Sequence, residues 1–91
     1  MTVIVRPILP FWLRQRQIQA EAIADNALRL HGPNLPTCEV RIEPEQNGTW
    51  RAVVIRLNGQ PHVLATGTAV EPHPQSAWQL GFELYRKHIV H

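Results

Sequence analysis

The chain has 91 residues, 44% of them apolar and 18% charged, with a formal net charge of +2. That balance belongs to a globular protein and excludes a disordered polymer, and a net charge of +2 is too small to argue for nucleic-acid binding. A chain of this length is expected to form a single small α+β domain over residues 1–91, burying roughly 60–65% of the surface that its extended form exposes.

In chain order, Thr2 to Ile8 is a short β-like segment stopped by Pro7 and Pro10. Proline offers no N–H to a ladder, so the segment suits an extra N-terminal edge strand. From Phe11 to His31 the spacing predicts a helix. Trp12, Leu13, Ala20, Ile23, Ala27 and Leu30 gather in one arc, and Ala24 lies at its margin. Gln15, Gln19, Glu21, Asp25, Asn26 and Arg29 fill the remainder, with Asp25 and Arg29 one turn apart. Gly32-Pro33 then closes the helix.

Three strands are expected next, joined as an antiparallel meander. Cys38 to Pro44 is followed by the turn PEQNG, then by Thr49 to Leu57. Asn58-Gly59 is a strong hairpin signal, because both residues tolerate the left-handed geometry of a type I′ turn. Gln60 to Val70 completes the meander, less regular at Pro61 and Gly67.

A second helix is expected from about Pro74 to Ile89. Ala77, Trp78, Gly81, Phe82, Tyr85, His88 and Ile89 share a broad arc that Leu80 and Leu84 extend. Glu83 and Lys87 have favourable i,i+4 spacing. Gly81 is costly in a helix interior, and a close approach to a neighbouring element would offset that cost. Pro74 suits the first helical turn, and proline holds the preceding His73 extended. His73 is therefore expected to mark the helix entrance. The two layers are a mostly antiparallel sheet and two helices packed on one face.

Chemistry has little to build on. The histidines are His31, His62, His73, His88 and His91, and only His88 and His91 have a ligand-like i,i+3 spacing. A zinc site needs three or four ligands, and the single cysteine, Cys38, forms neither a disulfide framework nor a cysteine cluster. Cys38 alternates with Val40 and Ile42 and is expected to be a small buried apolar residue. Ser76 is the only serine, three residues after His73, without an evident group to orient the base. Glu39 and Glu43 share the wet side of a strand, about 13 Å apart, too far for a glycosidase pair. No glycine loop has phosphate-binding spacing. The expectation is no enzyme, no metal and no cofactor. No segment approaches the roughly 20 apolar residues of a membrane span and no signal-like run is present, so the expected location is cytoplasmic, with no membrane partner.

The sheet carries a stronger signal. Along RAVVIRLN, Val53, Ile55 and Leu57 alternate with Ala52 and Val54, so the strand is apolar on both sides. Trp50 joins the second group and Arg51 the first. A second apolar face implies burial by a partner, coverage by the N-terminal segment, or ordinary scatter. The partner reading gives a small protein-interaction protein that self-associates. Its apolar contact is Val53, Ile55 and Leu57, with Arg51 and Arg56 as peripheral polar contacts. Trp50 and Val54 form the alternative surface.

The order helix, three-stranded meander, helix resembles the double-stranded-RNA-binding domain. With Thr2 to Ile8 as a strand, it is also similar to the small ribosome-hibernation factors. The likeness is one of topology and covers nearly the whole chain. It implies phosphate contacts from a lysine cluster opening the second helix, with the first helix and a hairpin loop in the minor groove. Here the helix start is EPHPQSAWQ and the loop is PEQNGT, neither containing lysine or arginine. An RNA- or ribosome-associated role would instead draw on Arg14, Arg16, Arg86 and Lys87.

Overall fold

The computed structural model describes residues 6–90. It is an α+β structure with five strands and two helices. Helix α1 spans Phe11–Gln15 and α2 spans Pro74–His88. The strands are β1 (Gln19–Ala24), β2 (Ala27–His31), β3 (Cys38–Pro44), β4 (Trp50–Arg56) and β5 (His62–Thr68). They form one antiparallel sheet in the order β1-β2-β3-β4-β5, so each strand pairs with its neighbour in sequence.

The expected meander is present, and α2 begins at Pro74 with extended His73 as its N-cap. The expected helix over Phe11 to His31 is not. It stops at Gln15, and a hairpin follows. Gln17 adopts φ 58°. Its N–H donates to the Arg14 carbonyl at 3.0 Å, while the Ile18 N–H donates to the Leu13 carbonyl at 2.8 Å. This is a Schellman stop, built here without glycine. Buried Leu13 and Ile18 supply the apolar contact that accompanies it.

Beyond the stop, ALRLH alternates: Leu28 and Leu30 are buried, while Arg29 is exposed. The i,i+2 spacing of those leucines suits a strand, and pairing with β3 satisfies the backbone on the other side. Asn26 secures the turn, donating its side-chain amide to the Ile42 carbonyl at 3.0 Å and accepting the Ile42 N–H at 2.9 Å. Arg29 accordingly pairs across the hairpin with Glu21, at 3.7 Å, and not with Asp25.

The N-terminal strand expected over Thr2 to Ile8 lies largely outside the described residues, and residues 6–10 have no regular secondary structure. At Asn58-Gly59 only Gly59 takes positive φ, 76°. Asn58 instead accepts the Thr37 N–H through its side chain at 2.6 Å, so the connection is not a type I′ turn.

The core lies between the sheet and α2. Trp78, Phe82 and Tyr85 pack with Leu30, Cys38, Val40, Ile42 and Val54. Each large apolar side chain buried here contributes about 1.5–3 kcal/mol. A Cβ on Gly81 would stand 2.6 Å from Val40 Cγ1, so glycine is what lets α2 sit this close to the sheet. Helix α1 joins the same layer through Trp12, stacked on Tyr85 with ring centroids 6.3 Å apart.

Candidate functional site

Helices occupy one side of the sheet, and the register places three rows of side chains on the other. One row runs Glu21, Arg29, Glu39, Ile55, Val63. The next runs Ala27, Arg41, Val53, Thr66, and the last Glu43, Arg51, Thr68. Leu57 follows Ile55 by two and continues its side, with its N–H held by the Thr37 carbonyl at 2.9 Å.

This open face is only partly apolar. Val53 is 8% exposed, already shielded between rows, and Ile55 and Leu57 are half-buried. Val63, on the outer strand, is 57% exposed. Glu39 was expected on the wet side, yet it is 6% exposed. Arg41, two residues along the same strand, is its counter-ion. Arg51 pairs with Glu45 at 3.2 Å. In register Val53 lies between Arg41 and Thr66, and Glu39 between Arg29 and Ile55, positions where a long arginine stem can cover apolar surface while its head stays wet.

Of the sequence-derived interface residues, Arg51, Val53, Ile55 and Leu57 share this face. Arg56 does not: it pairs in register with Cys38 and lies on the helix side, exposed. Burial pushes the Cys38 thiol up, with Arg56 acting against that shift. The alternative pair belongs to the inside. Val54 is fully buried, and Trp50 is half-buried against the core.

The proposed basic residues are partly brought together. Arg14 and Arg16 are exposed at α1, and the Arg86 guanidinium lies 5.4 Å from the centroid of the Trp12 ring. Arg16 stands one turn beyond Trp12, its N–H donating to the Trp12 carbonyl at 3.1 Å. Lys87 is exposed on the last turn of α2. Among the described residues none of these four makes an ion pair, and the expected Glu83–Lys87 pair does not form.

Ser76, His73 and Glu71 do meet, at the entrance to α2. Glu71 Oε2 lies 2.8 Å from His73 Nε2, and Ser76 Oγ lies 3.3 Å from the same nitrogen. A relay needs the carboxylate on one ring nitrogen and the nucleophile on the other. Here both partners converge on Nε2, so a proton held toward Glu71 leaves no lone pair for the serine hydroxyl. Among the described residues no group of three or more His, Cys, Asp or Glu gathers as a metal site. His91, half of the only ligand-like pair in the sequence, lies outside them. No described helix is long and apolar enough to cross a membrane.

No protein-family model matches the chain, and neither a characterised protein nor a solved structure is significantly similar to it.

The residues that sequence reasoning missed are Glu21, Arg29 and Arg41, together with the burial of Glu39. Reading residues 19–31 as helix removed two of them from the sheet. The alternation in ALRLH was the available signal.

Proposed function

We propose that this chain is a small, non-enzymatic protein-interaction protein that self-associates and docks a protein partner on the open face of its sheet. One observation carries the reading. Around half-buried Ile55 and Leu57 and exposed Val63, that face presents Glu21 and Glu43 against Arg29, Arg41 and Arg51, while Val53 and Glu39 lie buried between them. Accessible acids and bases interleaved around partly exposed apolar groups suit a protein surface of mixed charge. They do not suit a polyanion, which needs collected positive charge. A cytoplasmic location belongs to the same reading.

Recovery from native lysate, with and without nuclease, tests it. A specific protein should survive nuclease and be lost with Ile55→Asp. Retention of that protein by the aspartate variant would overturn the reading.

The second reading is an RNA- or ribosome-associated module, although the hairpin β1–β2 stands where the resemblance to the double-stranded-RNA-binding domain needs most of its first helix. Arg86 over Trp12, with Arg16 one turn away and no carboxylate among the described residues paired to either, favours it. It requires salt-sensitive recovery of RNA that is lost on neutralising Arg14, Arg16, Arg86 and Lys87 and unaffected by Ile55→Asp.

A further inference from the structure

Among the described residues the sheet ends in two strands that have only one neighbour each, β1 and β5. An edge strand offers a row of unpaired N–H and C=O groups, and proteins usually blunt it with charge or a bulge. Strand β1 has both: Glu21 stands mid-strand, and the register shifts between Ala22 and Ala24. Strand β5 has neither along its second half. Its bulge lies beside Val63, which leaves Ala65 to Thr68 regular. From His62 to Val70 the chain contains no Lys, Arg, Asp or Glu.

We propose that β5 is a dimer edge, on which the β5 strands of two copies pair antiparallel about a two-fold axis and join two sheets into one. The inference rests on the self-association part of the reading above and assigns it a surface different from the open face. A two-fold axis sets residues near it against their own copies, so a neutral strand such as β5 pairs with itself and a Glu21-bearing strand does not.

Apolar surface lies where such a dimer needs it. Val63 is exposed at one end of β5, and Val70 is 98% exposed just past the other. On the helix side, Leu80 and Leu84 of α2 are half-buried and lie directly over Gly67. Pairing the edges brings the two α2 helices alongside each other through those leucines.

The charges agree with an antiparallel pairing. At the His62 end the neighbouring exposed charge on the helix side is Arg56, its register partner. At the Thr68 end a cavity of about 240 Å³ is lined by Glu71 and Glu83, together with Val70 and Leu80. Antiparallel strands place one end opposite the other, so Arg56 of each copy faces Glu71 and Glu83 of its mate. Within one chain, neither Arg56 nor Glu83 makes an ion pair among the described residues.

Sedimentation equilibrium of the full chain across micromolar concentrations tests the proposal, with circular dichroism to verify folding. The wild type should be dimeric. Thr66→Lys, which sets two lysines near the axis, should weaken the dimer by at least about tenfold, as should Arg56→Glu. Adding Glu71→Arg and Glu83→Arg to Arg56→Glu should restore most of the loss. If Thr66→Lys fails to fold, the exposed charge reversals alone decide the matter. A monomeric wild type overturns the proposal, as does an Arg56→Glu defect that the reversed charges do not rescue. A dimer broken by Ile55→Asp but not by Thr66→Lys also overturns it, by moving self-association to the open face. A monomer leaves open-face docking to be scored separately by the lysate experiment.

Discussion

The backbone N–H of Ile18 donates to the carbonyl of Leu13 across a left-handed Gln17, and this bond ends α1 after Gln15. A side chain costs about 1–2 kcal/mol in that conformation, whereas glycine adopts it freely. Gln17→Gly should therefore raise stability by about 0.5–1 kcal/mol, after its larger entropy loss on folding is counted. Urea denaturation measures it, and no gain would mean that the stop is not strained.

Gly81 gives the opposite expectation to helix propensity. Alanine normally favours a helix interior by about 1 kcal/mol over glycine. Here its methyl would stand 2.6 Å from Val40 Cγ1 and 3.6 Å from the Ala52 methyl, so α2 would be pushed from the sheet. Gly81→Ala should destabilise by about 1–3 kcal/mol, and adding Val40→Ala should recover part of that. Additive losses in the double variant would place the clash elsewhere.

Tyr85 is fully buried, and its hydroxyl has no hydrogen-bond partner among the described residues. Burial first, and then Cys38, pushes its pKa from 10.0 up to about 12. The folded state thus holds the phenolic proton more tightly than the unfolded state does. Its effect on stability is flat below the unfolded value and falls by about 1.4 kcal/mol per pH unit as pH rises toward the folded value. Tyr85→Phe should be neutral or stabilising near pH 7 and should flatten the alkaline loss. Denaturation series at neutral and alkaline pH check both; a large neutral-pH loss would reveal a partner for the hydroxyl.

Glu39 and Arg41 couple burial to charge. Arg41→Met would leave a carboxylate buried with no counter-ion, although the guanidinium it replaces is partly in water. A loss of about 1–3 kcal/mol is expected, and Glu39→Leu in the same chain should recover most of it. A double-mutant cycle measures the coupling, which should vanish if neighbouring arginines alone satisfy Glu39.

Strands β3 to β5 and α2 were legible because their signals are unambiguous. Cys38, Val40 and Ile42 alternate cleanly, and Pro74 has a defined place in a first turn. The segment Gln19 to His31 was not. Ala20, Ala27 and Leu30 fit a helical arc as well as a strand side, and alanine favours helix locally. The pairing of β2 with β3 outweighs that preference, and no local pattern encodes it. The stop at Gln17 carries no glycine to announce it. At the open face the apolar residues were visible in RAVVIRLN, whereas their shielding was not. Shielding depends on Arg41 and Thr66, which flank Val53 only once the register is known.

Because every strand neighbours the next in sequence, the sheet can assemble hairpin by hairpin through short loops. The stacking of Trp12 on Tyr85 is different, since it joins positions near opposite ends of the chain. That contact forms only after the intervening sheet exists, which makes it a late event in folding. Trp12→Ala should therefore leave the refolding rate nearly unchanged and speed unfolding, as stopped-flow chevrons would show. On that expectation the last turn of α2 is a latch on a sheet already formed, and loosening it shortens the lifetime of the folded state.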